Sequence, residues 1–358
     1  MHFRVLCLTS ALALAANAAT ADMNFNRIAS FGTYLNMADG EDLSRTTSAE
    51  IIAATADGMT LVYTDSPLGV VGRVDITDPA KPAPLGNVAL NGEPTAVGIV
   101  GSTAFVGVNT SASFTDPSGH LAIINVMSGE ITATCDLGGQ PDSVAVSKDG
   151  TRISIAIENE RDEDLGDGRV GQLPAGFLVI GELKDGALAC DDLVKVEMTG
   201  LADIVPEDPE PEFVDFNEAG EIAMTMQENN EIVIVDGKTG DIVSHFSAGS
   251  VALDNVDTEE EGALTFDGKL TAVPREPDAV QWLDDDRLVI ANEGDWKGGS
   301  RGFTIFSKKG EVLYDSGLSF EYEVAMAGHY PEKRSGNKGV EPEGMEIATF
   351  GTTTYIFL

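Results

Sequence analysis

The chain has 358 residues, 42% of them hydrophobic, with 39 glycines and 15 prolines, so it can bury a large core while turning often. Its 59 acidic against 22 basic residues leave a net charge of −37, which excludes non-specific binding to nucleic acid or to anionic lipid. Most of that charge reads as a solvated acidic surface, as in a salt-adapted organism, and a minority at selected positions suits divalent cations.

The first residues, MHFRVLCLTSALALAANAATAD, carry Arg4, an apolar run and a small-residue end at Ala19-Thr20-Ala21. That is a secretory signal over residues 1–21, cut before Asp22. Residues 22–358 then form one exported domain, periplasmic or extracellular. The short leader and Ala-rich cut point to a Gram-negative bacterium. No later stretch approaches the ~18 uninterrupted apolar residues of a membrane span. Cleavage removes Cys7 and leaves Cys135 and Cys190. These two either form one disulfide, as export favours, or stand as separate thiols.

Phe25–Asn36 reads as an outer strand. Beyond it a pattern recurs: GEPTAVGIV (92–100), GQPDSVAVS (139–147), PEPEFVDFN (209–217), REPDAVQWL (275–283) and VEPEGMEIA (340–348), with TSAEIIAAT from Thr47 as a weaker first copy. Each has Glu or Gln before a proline, usually Asp or Glu after it, and then alternating apolar residues. The prolines at 94, 141, 211, 277 and 342 lie 47, 70, 66 and 65 residues apart, a spacing that suits propeller blades with variable insertions. Each copy continues into a tight turn (SKDGTR, NEAGEI, LDDDRL), a second apolar strand and a hairpin such as EIVIVDGKTGDIVSHF. Four strands per unit make a blade. Blades are expected near 45–90, 92–137, 139–200, 209–250 and 276–316, with a sixth from 340. No segment keeps a 3.6-residue period, so helices should be few. The expectation is an all-β propeller of four-stranded antiparallel blades, about seven when complete. Five and a half are present, with the domain incomplete at Leu358 and Phe25–Asn36 closing the ring.

The same stretches, together with EPEFVDFNEAGEIAMTMQENNEIVIVD, ALDNVDTEEEGAL, GFTIFSKKGEVLYDSG and NKGVEPEG, resemble the exported choice-of-anchor I propellers, a family with mesenchyme-specific cell-surface glycoprotein relatives. The resemblance runs over nearly all the mature chain and implies a propeller, export and further strands past this C-terminus. Related bacterial proteins carry phytase-like, esterase-like or alkaline-phosphatase-like labels, and no catalytic residue is carried over from them.

In a blade, the start of strand one and the end of strand two lie at the same end. Glu50, Asp142, Glu212, Asp278 and Glu343 would therefore ring one channel mouth. Glu93, Glu210, Glu276 and Glu341 lie just before the prolines. Asn109, Asn159, Asn229 and Asn292 end strand two, 15 to 18 residues after each proline. Proline suits a strand's first residue because no N–H partner is needed there. Converging carboxylates repel, which favours raised pKa values or a bound cation, and hard oxygen donors suit Ca²⁺. The competing reading has these acids merely capping strands. ENERDEDLGDG (158–168) and LDNVDTEEEG (253–262), with Asp254 and Asp257, add acidic loops, either further calcium ligands or plain solvated acid. The first departs from an EF-hand, since Leu173 stands where the final Glu should be.

The basic loop HYPEKRSGNKG supplies His329, Lys333, Arg334 and Lys338, with Arg275, Lys297 and Arg301 near the same mouth. Gathered bases beside a cation ring suit a small anion such as a phosphate ester, unless the loop is simply exposed. GGSRG (298–302) joins two strands and GDGRVG (166–171) lacks a βαβ unit, so neither motif carries its usual chemistry. Only His120, His245 and His329 remain after cleavage, too few for a His-rich metal site. The leading expectation is a calcium-dependent phosphoester or ester hydrolase. The alternative is a non-catalytic cell-surface or adhesion propeller with structural calcium and a surface or polymer partner. Bases reaching into the mouth favour the first, and bases facing solvent favour the second.

Overall fold

The computed structural model describes residues 25–358 apart from 295, 297 and 298, so the expected leader at 1–21 and the base Lys297 lie outside the described residues. The described chain is strand-rich, with one α-helix, Ser319–Met326, and three short 3₁₀ turns. Strands follow one another as antiparallel neighbours. The first sheet holds Ile52–Ala54, Thr60–Asp65, Val70–Asp75 and Ala83–Ala89. The second holds Glu93–Val100, Thr103–Asn109, Gly119–Asn125 and Ile131–Asp136. In the third, Pro141–Val146, Arg152–Ile157 and Phe177–Lys184 are joined by two short strands, Ala187–Leu188 and Val194–Glu197, that both pair with Phe177–Lys184. The fourth holds Pro211–Phe216, Glu221–Met226, Glu231–Asp236 and Ile242–Ser247. The fifth holds Pro277–Trp282, Arg287–Asn292, Gly302–Ser307 and Val312–Asp315.

Local chemistry sets these pairings. In SKDGTR the Ser147 hydroxyl accepts the N–H groups of Thr151 and Arg152, while Gly150 supplies a φ of +67°. Second strands such as Arg152–Ile157 are buried on both faces, because each sheet packs face to face with the next. Fourth strands are far more exposed, and Ile242–Ser247 alternates between half-covered and exposed residues. Apolar clusters fill the spaces between consecutive sheets. Val106 and Val62 lie between the first and second, Leu121 and Ile155 between the second and third. Met198 and Met224 lie between the third and fourth, Ile234 and Ile290 between the fourth and fifth. The first strands of successive sheets touch one another in chain order, from Ile52–Ala54 round to Pro277–Trp282 and on to Glu346–Phe350. That is a propeller-like arrangement with first strands innermost.

The structure corrects three expectations. Phe25–Asn36 holds no strand: Thr33–Asn36 is a 3₁₀ turn, anchored where the Asn36 amide donates to the Tyr63 hydroxyl and accepts from the Gly86 N–H. Phe25 nonetheless stacks edge-on against Phe350, Tyr355 and Phe357 of the last hairpin. The strand expected right after Pro342 starts only at Glu346 and pairs with Thr353–Phe357. The acidic loop 253–262, expected between the fourth and fifth blades, belongs to a two-stranded hairpin of Ser250–Val256 and Gly268–Pro274. Cys135 and Cys190 are disulfide-bonded, joining the fourth strand of the second sheet to the edge of the third.

Candidate functional site

The acids behind the prolines owe their direction to a repeated irregularity. In the second to fifth sheets, the pairing of the first strand with the second slips by one residue just past the proline: between Pro94 and Ala96, Pro141 and Val144, Pro211 and Val214, and Pro277 and Val280. Such a bulge re-aims the side chains it contains. Thr95, Asp142, Glu212 and Asp278 stand in these slips. Glu50, Asp142, Glu212, Asp278 and Glu343 accordingly line one cavity of about 490 Å³, with Glu93 and the apolar walls of Ile51, Val144 and Phe213.

A second chamber of about 240 Å³ shares Glu212, Asp278 and Glu343 with the first, so the two adjoin at these residues. Six acids line the first chamber and nine line the second, three of them shared, whereas the basic residues on the two linings are Arg161 and Lys338. Asp278 is 8% exposed, and among the described residues no hydrogen bond or ion pair reaches its carboxylate. One oxygen of Glu212 and one of Glu228 are buried without a hydrogen-bond partner. Burial, then the charges of Glu160 and Glu343, push Asp142 up to about 7. Burial also raises Glu212 and Asp278 well above the usual carboxylate range. The next cause is Glu228 for Glu212 and Glu293 for Asp278. Glu158, Glu228 and Glu343 are raised too, burial again first.

The glutamates before the prolines are placed differently. Glu210 accepts the Arg161 N–H and pairs with its guanidinium, itself fully buried, which also reaches Asp208. Burial outweighs that pairing and holds Glu210 at about 7. Glu276 pairs with Arg169, whose guanidinium lies 3.8 Å over the Trp296 ring. Glu341 pairs with Arg334 and with Lys338. Glu93 alone of this set is left exposed on the first chamber's wall.

The asparagines at the ends of second strands clamp backbone. Asn159 accepts the Gln140 N–H and donates to the carbonyls of Pro174 and Ala175. Asn229 accepts the Glu210 N–H and donates to Ile204, Val205 and Asp208. Asn109 accepts the Ser111 N–H. Asn292 donates to the Thr304 hydroxyl, and its side-chain Oδ1 is buried without a partner. None of the four lines either chamber.

Asp254 and Asp257 lie on the 250–274 hairpin, away from both chambers. Asp254 is exposed and pairs with Lys269 at 2.7 Å. Asp257 is fully buried and accepts the Ser335 hydroxyl at 2.9 Å. Of the expected anion-binding residues, Lys338 lines the second chamber. Arg334 is drawn to Glu341, while His329 and Lys333 are exposed. Arg275 is spent in the wall, on Asp315 at 2.6 Å, the Ala248 carbonyl at 2.7 Å and the Thr304 hydroxyl at 3.0 Å. Arg301 is buried against Glu321, the Asp257 carbonyl and the Ser335 carbonyl. Sequence reasoning missed Glu228 and Glu293 as channel acids, and had Glu158 only as part of the acidic loop 158–168, which lines the second chamber through Glu158, Glu160 and Glu163. The signal was present, since Glu158, Glu228 and Glu293 each sit within one residue of an asparagine at a second strand's end.

All the donors on offer are hard oxygens, the kind that suits Ca²⁺. Among the described residues, however, no group of three His, Cys, Asp or Glu side chains is set to hold a metal ion as it stands. No helix among the described residues is long and apolar enough to cross a membrane.

The choice-of-anchor I domain matches residues 50–298 and 296–358. No curated protein matches the chain. Among solved structures it is similar to a Bacteroides caccae protein of unknown function, at 12% identity and a TM-score of 0.42, covering 77% of this chain and 83% of that one. Selenomethionine-substituted virginiamycin B lyase from Staphylococcus aureus follows at 11% identity and a TM-score of 0.44, with 75% and 71% covered. A chain of a mitotic checkpoint complex aligns at 10% identity and a TM-score of 0.46, with 75% and 67% covered. Likenesses this distant carry nothing about activity.

Proposed function

The chain belongs to the choice-of-anchor I domain family, and from that premise we propose that it is an exported, surface-associated propeller of about seven blades whose acidic channel binds calcium without catalysing a reaction. The observation that carries this reading is Glu212, which lines both acid-lined chambers and has one carboxylate oxygen buried without a hydrogen-bond partner. Leaving such an atom unpaired is costly, and a divalent cation satisfies it together with Asp278 and Glu343. Bound calcium would tie the first strands of several sheets to one another and stiffen the mouth for a surface or polymer partner. Export to the periplasm or beyond is supported by the leader sequence and by the Cys135–Cys190 disulfide.

The hydrolase reading keeps one supporting observation: the Lys338 ammonium lies in the acid-lined chamber, where a phosphate ester bridged by calcium would meet it. The other described bases expected beside it are exposed or engaged elsewhere. Titrating chelator-stripped protein with Ca²⁺ by calorimetry tests the first reading. Saturable binding that Asp278→Asn abolishes is expected, and absence of binding in the wild type overturns it. Turnover of a phosphomonoester, phosphodiester or carboxylester that stops with chelator would promote the second.

A further inference from the structure

Lys338 stands out because so much structure fixes its position. Its Nζ lies 2.9 Å from Glu293 Oε1 and 3.2 Å from Glu341 Oε1, on the lining of the second chamber beside Asp278 and Glu343. The backbone bearing it is held tightly. The Lys338 N–H donates to the Arg334 carbonyl at 3.1 Å, and Gly299 packs so closely that a Cβ there would lie 3.0 Å from the Lys338 Cα. Below it, the Ser335 hydroxyl donates to buried Asp257, while buried Arg301 donates to the Ser335 carbonyl at 2.6 Å and the Asp257 carbonyl at 2.7 Å. The segment entering the last hairpin is thus pinned by a buried polar strut. The tip of that segment delivers an ammonium group into a chamber whose other basic residue, Arg161, is paired with Glu210 and Asp208.

An ammonium and a divalent cation compete for the same carboxylates. Asp278 and Glu343 feel the Lys338 charge, and Glu293 is hydrogen-bonded to it and to the Gln227 amide at 2.7 Å. Asp278, nine-tenths buried and without a partner of its own, marks the place where a further positive charge is wanted. We propose that Lys338 is a tethered counter-ion: its ammonium neutralises the mouth while no divalent cation is bound, and it must swing off Glu293 for one to bind. The four-carbon stem allows that swing without disturbing the pinned backbone, and the ammonium is a compact point charge that exchanges readily for a cation. The residue therefore sets the calcium concentration at which the mouth fills. This rests on the calcium reading above and adds to it a built-in competitor.

The test is calorimetric titration of Ca²⁺ into the chelator-stripped full chain, as wild type, Lys338→Met and Lys338→Arg. Removing the competing charge is expected to tighten Ca²⁺ binding about tenfold, the scale of one partly buried charge pair. Lys338→Arg, which keeps the charge, is expected to bind at least as weakly as wild type. Lys338→Met should also melt lower than wild type in chelator and regain wild-type stability with Ca²⁺, a recovery that a merely structural lysine would not give. Should Lys338→Met fail to fold, Lys338→Gln takes its place in the same titration. Equal or weaker Ca²⁺ binding by a folded Lys338→Met, beside normal binding by wild type, overturns the tethered counter-ion and leaves the calcium reading standing. No binding by any variant overturns both.

Discussion

Raising the pH in the presence of chelator should destabilise this protein, and calcium should remove the effect. Asp142 and Glu210 are held at about 7, against ordinary values near 4, and Glu212 and Asp278 are also raised, by burial and by neighbouring acids. A carboxyl whose folded pKa lies above its unfolded value binds its proton more tightly when folded. Its contribution to stability is complete below the unfolded pKa and is lost as the pH climbs through the folded one. For Asp142 and Glu210 the window runs from about pH 4 to about pH 7. Each titrating group tilts stability by about 1.4 kcal/mol per pH unit inside its window, so the two together give at most about 3 kcal/mol per unit. Calcium prefers the ionised carboxylates, and a ligand at a hundred times its dissociation constant returns about 2.7 kcal/mol.

The assay is a series of thermal melts from pH 5 to 8, in chelator and in millimolar Ca²⁺, each repeated in ~1 M NaCl. High salt screens repulsion among exposed acids and leaves the buried part of the slope in place. The expected result is a melting temperature that falls by several degrees with pH in chelator, survives salt, and levels out with Ca²⁺. Asp278→Asn should flatten the fall and lose the response to Ca²⁺. A melting temperature that is flat or rising from pH 5 to 7 in chelator, or a fall abolished by salt alone, would refute the reasoning.

Three further outcomes follow from the same geometry. Arg161→Met leaves Asp208 and Glu210 buried without their counter-charge and should cost about 3–5 kcal/mol, read as a shift in the urea midpoint; a shift below 1 kcal/mol would mean the pair relaxes into water. Cys135→Ser should cost about 4 kcal/mol from the 55-residue separation it leaves unclosed, and reductant should reproduce the shift in the wild type. Glu212→Gln should weaken Ca²⁺ binding, whereas Asp254→Asn, on the exposed hairpin, should leave it unchanged.

Much of the fold is legible because turn chemistry and alternation are local. Pro94, Pro141, Pro211 and Pro277 mark the starts of four first strands, and SKDGTR and NEAGEI fall on the turns assigned to them. Pro342 misleads, since Glu343 and Gly344 stay outside the strand that begins at Glu346. The helix Ser319–Met326 escapes because it is only 8 residues long and carries no clear apolar stripe. The hairpin of Ser250–Val256 and Gly268–Pro274 is hidden by DNVDTEEEG, whose charge reads as loop. The strand Ser250–Val256 is held by partners such as Leu270 and Val273, not by its own composition. The site divides in the same way. Positions after each proline could be read from the repeat, but their convergence depends on a one-residue slip that no local residue pattern announces. Arg161 and Arg275 look alike on paper. One meets Glu210 across 49 residues and the other meets Asp315 across 40, contacts that exist only once the strands between have folded.

That division explains why one short motif yields two kinds of acid. In REPDAV and PEPEFV, two carboxylates flank a proline at positions that an unbroken strand would send to the same face. The slip past the proline separates them. The earlier carboxylate in each stretch, Glu276 or Glu210, turns to an arginine from the long loop of the third sheet, and so it ties loops to sheets. The later one, Asp278 or Glu212, turns into the channel and meets other acids. A fold stabilised by pairing alone would have no use for the second set: each raises the free energy of the folded state at neutral pH, and an asparagine or threonine, as at Thr95 in the second sheet, satisfies the backbone there without that penalty. Acids held against their own repulsion at several consecutive positions are the arrangement in which bound positive charge has the most to contribute.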